Sequence, residues 1–166
     1  MTVVLVLLLA LLIGVVAGLR ALTPPAVVAW AAALGWINLD GTWASWLAHP
    51  IVVGVLTILL IVEFVTDQLP KTPPRTVTPQ FAARLITGAF AGAVVVTGTV
   101  LAAGAGIIIS GIGAAMVGAV LGTLGGYQVR SLLVARNDGH DAPVAFLEDI
   151  LAILSGFAVM ALGSLI

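Results

Sequence analysis

The chain has 166 residues, of which 61% are hydrophobic and 8% are charged, with a net charge of −1. Soluble domains average about 25% charged residues, so this composition excludes an ordinary soluble domain and indicates an integral membrane protein. The near-neutral charge and the lack of a basic aromatic patch give no reason to expect nucleic acid, and the absence of cysteine excludes disulfides and thiolate chemistry.

The first predicted span covers about residues 3–22, and we interpret it as retained because it lacks the basic n-region of a signal peptide. It ends in the sequence GLRALTPP, where Pro24 and Pro25 can only open a new helix, with Thr23 as its cap. The apolar segment 24–37 is too short for an ordinary span. It predicts a half-helix, a steeply placed short span or a re-entrant segment.

The rest of the chain predicts four further spans, separated by the stiff loop PKTPPRTVTP, the uncharged hairpin GAGIIISG and the polar loop RNDGHDAP. The predicted fold class is therefore all-α, a polytopic membrane helix bundle of about five transmembrane spans plus a short Pro-broken or re-entrant helix. We expect a single transmembrane domain over residues 1–166. The four further spans cover about residues 46–69, 80–103, 112–135 and 143–166.

Basic residues concentrate at the ends of the predicted spans that the loops after spans two and four connect. The positive-inside rule places those loops in the cytoplasm and the carboxyl terminus outside. We therefore expect a multi-pass protein of the cell inner membrane. These basic residues are Lys71, Arg75, Arg84, Arg130 and Arg136.

Glycines recur every four residues along the predicted spans, as at Gly118, Gly122 and Gly126. Residues four apart share a helix face, so each set forms a groove for close helix contact, either inside the chain or between copies. Five short helices enclose little volume. We therefore expect a homo-oligomer through these Gly-rich faces, with membrane lipid as the other partner.

Seven ionisable residues are predicted at one end of the bundle. Glu63 and Asp67 lie near a helix carboxyl terminus, where the helix dipole disfavours negative charge, and burial adds a larger penalty. We expect guanidinium groups from neighbouring helices to hold this pair, because arginine keeps its charge and binds carboxylates in a fork. The seven candidate site residues are Arg20, Glu63, Asp67, Arg84, Arg130, Glu148 and Asp149.

Three interpretations of this set remain open. The first is a charge network that locks the helices together, the second is an anion-binding or proton-coupled site, and the third is a site for a hard cation. The cation would be magnesium or calcium on Glu63 and Asp67 with Glu148 or Asp149, since all the ligands are oxygens. No cofactor is expected apart from such a divalent cation, and no catalytic motif is present.

The sequence also leaves open the interpretation of a weak internal repeat, with halves at about residues 1–76 and 77–166. Arg20 and Arg130 each close a Gly-rich span, and Glu63 and Glu148 each belong to the helix that follows. Such duplication is common in transporters, whose sites form at broken helices between repeats.

Five motifs in matching order resemble a bacterial membrane-protein family described as domain of unknown function 4126. They are GLRALTPPAVVAW, EFVTDQLPKTPPRT, ARLITGAFAGA, GTLGGYQVR and DAPVAFLEDILAI, and together they extend over nearly the whole chain. The resemblance implies no established activity. It implies motif positions at Arg20, Pro24, Pro25, Glu63, Asp67, Arg75, Arg84, Arg130, Glu148 and Asp149.

The leading functional hypothesis is a small inner-membrane transporter or channel-like carrier of unknown substrate. Arginines of the polar site would bind an anionic group, and a carboxylate would carry the coupling proton. The alternative is a lipid- or partner-binding membrane scaffold with a structural ion-pair network. A magnesium-dependent enzyme acting on a lipid phosphate is a third hypothesis, although the sequence favours a protein that is not an enzyme.

Overall fold

The computed structural model describes residues 2–67, 76–137 and 141–165. Over these ranges the fold is all-α, with six α-helices, one 3-10 turn at Ser45–Ala48 and no strand, which confirms the predicted fold class. The helices are α1 (Val3–Leu19), α2 (Thr23–Ala33), α3 (Pro50–Thr66), α4 (Thr78–Thr99), α5 (Ala105–Arg136) and α6 (Asp141–Ser164).

Three of these helices, α4, α5 and α6, are long and apolar enough to cross a membrane, with 22, 32 and 24 residues. Helices α1 and α3 are equally apolar in character but have 17 residues each. At 1.5 Å per residue they extend about 25 Å, at the lower limit for a span. The predicted count of about five spans is therefore confirmed in part.

Helix α2 is the short Pro-broken helix that the sequence predicts. It has 11 residues, with Pro24 and Pro25 in its first turn. Eight of its 11 residues are buried, and it packs against α3, α4 and α6. The predicted cap is wrong, because Thr23 is the first helical residue and Leu22 takes the capping position without a side-chain hydrogen bond.

Helix α1 is the centre of the bundle and packs on α4, α5 and α6. It crosses α5 with the two backbones in direct contact, since a methyl group at Gly14 would overlap Ala115 and one at Gly118 would overlap the carbonyl of Leu11. These glycines therefore serve packing within the chain. At the same crossing Thr123 is fully buried, and its hydroxyl has no hydrogen-bond partner among the described residues.

The predicted hairpin GAGIIISG is wrong. Residues 105–111 form the first turns of α5, and the connection to α4 lies before them, at residues 100–104. Ala102 makes this turn with a φ of 51°. Glycine is common in transmembrane helices, and Gly111 lies where a Cβ would meet Val96 of α4. Packing against α4 therefore keeps residues 105–111 helical, although their glycines are typical of a turn.

Candidate functional site

Arg20 lies at the point where α1 ends, and its backbone is extended with a φ of −142°. Its side chain is buried and points to the ends of two other helices. The guanidinium forms an ion pair with Asp149 on α6, and Nη1 lies 2.9 Å from Oδ2 of Asp67 at the end of α3. Nη1 also donates a hydrogen bond of 3.2 Å to the carbonyl of Glu63. One arginine thus joins α1, α3 and α6.

The Glu63 carboxylate is bound by backbone amides, a role that sequence reasoning missed. The N–H of Ala21 donates to Oε1 at 2.8 Å, and the N–H of Leu22 donates to Oε2 at 2.9 Å. These amides precede the first turn of α2, where backbone donors have no partner inside the helix and the helix dipole favours negative charge. Glu63 therefore caps α2 from another helix. We call Arg20, Glu63, Asp67 and Asp149 the Arg20 cluster.

Arg84 lies on α4 beside this cluster and is 3% exposed. Its Nη1 donates a hydrogen bond of 3.2 Å to the carbonyl of Leu19, the last residue of α1. The last carbonyls of a helix lack intrahelical partners, and a cation is favoured there. Arg84 therefore fastens α4 to the carboxyl end of α1.

Arg130 and Glu148, two other predicted site residues, meet in a second group. Arg130 binds Asp141 in a fork, with Nε 2.9 Å from Oδ1 and Nη2 2.7 Å from Oδ2, and its Nη1 lies 3.4 Å from Oε2 of Glu148. We call these three residues the Arg130 cluster. Asp141 was not predicted as a site residue. The signal that indicates it is its position at the start of α6, opposite the predicted end of α5.

Glu148 and Asp149 are adjacent in sequence but belong to different clusters. Consecutive residues on an α-helix point about 100° apart, so Asp149 turns inward to Arg20 while Glu148 turns to Arg130 on α5. The predicted loop cations Lys71 and Arg75 lie outside the described residues. Within the described ranges, no group of three or more histidine or acidic side chains is arranged to hold a metal ion.

Cavities differ sharply between the two clusters. The cavity beside the Arg20 cluster, bounded by Thr23, Leu60 and Phe64, has a volume of about 10 Å³, which is room for roughly one water molecule. A groove between α1, α5 and α6 is far larger, about 510 Å³, and has Arg130 and Glu148 at its polar end. On the other side of Arg130 a pocket of about 390 Å³ includes Asp141.

The family model described as Domain of unknown function (DUF4126) matches residues 7–163 of the chain. The chain belongs to this family. It has no significant match among curated proteins or among solved structures. The DUF4126 match includes every residue of both clusters, and it confirms the family that the sequence motifs indicate. The family description assigns no activity, so function has to be inferred from the clusters and the cavities.

Proposed function

We propose that this DUF4126 protein is a lipid-binding membrane scaffold, in which the Arg20 cluster fixes the helix ends and the groove between α1, α5 and α6 receives a lipid chain. The contrast between the two cavities carries the proposal. A volume of about 10 Å³ beside the Arg20 cluster cannot hold a solute, whereas about 510 Å³ of apolar groove can hold an acyl chain.

The contacts of the Arg20 cluster support a structural role. Each of its four ionisable groups has a described partner, and the partners come from the ends of three helices and from the start of α2. Removing one member of a buried pair costs about 3–5 kcal/mol, because the charge left behind stays in a low-dielectric interior. Such a cluster holds an arrangement of helices firmly, and the cavity of about 10 Å³ beside it leaves little space for a transported ion.

The groove has the shape and lining that a lipid chain needs. Its floor is α1, with Val15 and Leu19, and its walls include Leu121 on α5 and Leu151 on α6. Gly125 widens the groove, since a Cβ added there would meet no atom within 4 Å. In a bilayer such a furrow has to be filled, and a chain of CH₂ groups fills it without unsatisfied polar atoms.

Gly125→Leu tests this function, with Gly113→Leu as the matched control. Both glycines lie on α5, and neither has a neighbour that a Cβ would meet within 4 Å, but only Gly125 lines the groove. Native mass spectrometry of the purified protein should find less bound lipid in Gly125→Leu and the normal amount in Gly113→Leu. Equal lipid in both variants would overturn the proposal.

Orientation follows from the position of the basic residues. We propose that the protein lies in the inner membrane with the two clusters at the cytoplasmic side. Arg84 lies near the start of α4, and Arg130 and Arg136 lie near the end of α5. Cytoplasmic ends of spans carry more lysine and arginine. Replacing Arg136 with cysteine and labelling that cysteine from each side of sealed vesicles would test the orientation.

A carrier is the second candidate, and one observation favours it. The two backbone amides at the start of α2, with Arg20 nearby, are arranged as an anion site whose occupant is the protein's own Glu63. A carrier requires Glu63 to leave that position so that an external anion can replace it. Anion flux into liposomes containing the protein, abolished by Glu63→Gln, would favour the carrier, whereas no flux with lowered thermal stability would favour the scaffold.

A further inference from the structure

We infer that α3 is a hinged helix, which pivots at His49 and Pro50 and is latched at its other end by the carboxylates of Glu63 and Asp67. Release of this latch opens the seam that α3 covers between α2 and α6. The hinge does not depend on the proposed lipid-binding function, because the described residues that line the groove between α1, α5 and α6 all belong to those three helices. Three features of α3 carry the inference: its burial, the position of its polar contacts and the cavities behind it.

Helix α3 is far less buried than the other helices of the bundle. Among its 17 described residues only Val53 is buried, whereas each of the other five helices has six to nine buried residues. Val53 lies near the start of α3, where the neighbours are α2 and the 3-10 turn. In the middle of the helix, Nε1 of Trp30 donates a hydrogen bond of 2.9 Å to Oγ1 of Thr57. Elements with few buried apolar contacts open at a lower free energy than the core of a fold.

Polar contacts hold the carboxyl end of α3. The two oxygens of Glu63 accept hydrogen bonds from the N–H groups of Ala21 and Leu22, and Oδ2 of Asp67 lies 2.9 Å from Nη1 of Arg20. Both acids lie at the last turn of α3, where the dipole of their own helix disfavours negative charge. These contacts take the place of the packing that this end lacks, so the closed position of α3 depends on the charges of two side chains.

The seam behind α3 is incompletely filled. The cavity of about 10 Å³ beside the Arg20 cluster and a second cavity of about 100 Å³ both have Leu60 of α3 and Ile153 of α6 among their lining residues. Phe64 reaches α6 through an edge-on contact with the ring of Phe146, at a centroid distance of 6.0 Å. Side-chain atoms that border empty space lack partners on that side. Moving α3 away from the seam therefore breaks few van der Waals contacts.

The start of α3 has the features of a hinge. The backbone of His49 is extended, with a ψ of 131°, and its Nδ1 accepts a hydrogen bond of 3.3 Å from the N–H of Ile51. Pro50 is the first residue of the helix and has no N–H that could bind the preceding chain. Hinges are residues at the ends of elements that absorb a change of φ and ψ. Helix α3 can therefore pivot about His49 while its first turn keeps its cap.

Distances between spin labels on the full-length protein in lipid nanodiscs test the latch. The chain has no cysteine, so two introduced cysteines carry the only labels, and double electron–electron resonance measures the distance between them. Ile86→Cys, at an exposed position of the well-packed helix α4, is the reference site. Val62→Cys reports on the latched end of α3, and Ile51→Cys reports on the hinged end; both positions are exposed.

Glu63→Gln and Asp67→Asn each weaken the latch without changing the size of the side chain. For the pair of labels at positions 86 and 62, each variant should raise the ratio of a second, open distance to the closed one by about tenfold, the effect of one hydrogen bond to a charged group. For the pair at positions 86 and 51 the distances should stay unchanged. Asp40→Asn, an equal loss of charge in an exposed turn, is the control and should change neither pair.

Any other result contradicts the hinge. Unchanged distances in both pairs would show that the packing of α3, and not its two carboxylates, holds it in place. A second distance in both pairs would show that the variants loosen the whole protein and not one end of α3. A short, defined distance between copies labelled at position 62 alone would place a second copy against α3 and leave it no space to move. These readouts do not involve bound lipid, so their failure leaves the proposed function standing.

Discussion

Replacing Arg20 by methionine removes the cation that two acids share. Asp149 has an exposed fraction of 1%, and it and Asp67 are both ion-paired to Arg20. Leaving a buried charge without its partner costs about 3–5 kcal/mol. A loss of 1 kcal/mol lowers Tm by about 2–4 °C in a chain of this size, so we expect Arg20→Met to lower Tm by about 6–20 °C. Thermal unfolding in detergent, followed by circular dichroism, measures it.

A compensating variant separates charge burial from simple loss of contacts. Arg20→Met combined with Asp149→Leu removes both charges of the Arg20–Asp149 pair, so it should recover most of the stability that Arg20→Met loses, with a coupling energy of about 2–3 kcal/mol. Arg136→Met, which removes an exposed arginine near the end of α5, should change stability by less than about 0.5 kcal/mol. The structural role of the cluster would be refuted if Arg20→Met lowered stability as little as Arg136→Met does. It would also be refuted if the effects of Arg20→Met and Asp149→Leu were strictly additive in the double variant.

Three other substitutions have expected outcomes in the same unfolding assay. Glu63→Gln should destabilise by about 1–3 kcal/mol, because an amide nitrogen replaces an acceptor that faces a backbone N–H; an unchanged Tm would contradict this. Gly118→Ala should lower the free energy of unfolding by about 1–3 kcal/mol, because the added methyl group overlaps the carbonyl of Leu11. Gly113→Ala should instead stabilise the protein by about 0.5–1 kcal/mol. Equal effects of the two substitutions would show that the α1–α5 contact is loose. Thr123→Val should stabilise by about 1 kcal/mol, since it removes a buried hydroxyl without a described partner, and a loss of stability would reveal a partner.

Much of the architecture follows from hydropathy, because apolar runs define helices and charged residues can only lie near their ends. That reasoning correctly brought Arg20, Asp67 and Asp149 together. It also located the break before α2, since consecutive prolines cannot continue a helix.

The remainder depends on three-dimensional packing. The amides that bind Glu63 became available only because the chain leaves α1 in an extended conformation at Arg20. The division of Glu148 and Asp149 between two clusters depends on the rotation of α6 about its axis. The groove between α1, α5 and α6 has no signature in sequence, because most of the residues that line it are aliphatic and of the kind that elsewhere face lipid.

Arg20 and Asp149 are separated by 129 positions along the chain. At a synthesis rate of about 5–20 residues per second, the acid emerges about 6–26 s after the arginine. During that interval Arg20 can pair with Asp67 of α3 but not with Asp149 of the last helix. A chain truncated before α6 would lack one of the two acids that Arg20 binds, so completion of the Arg20 cluster depends on insertion of the last helix.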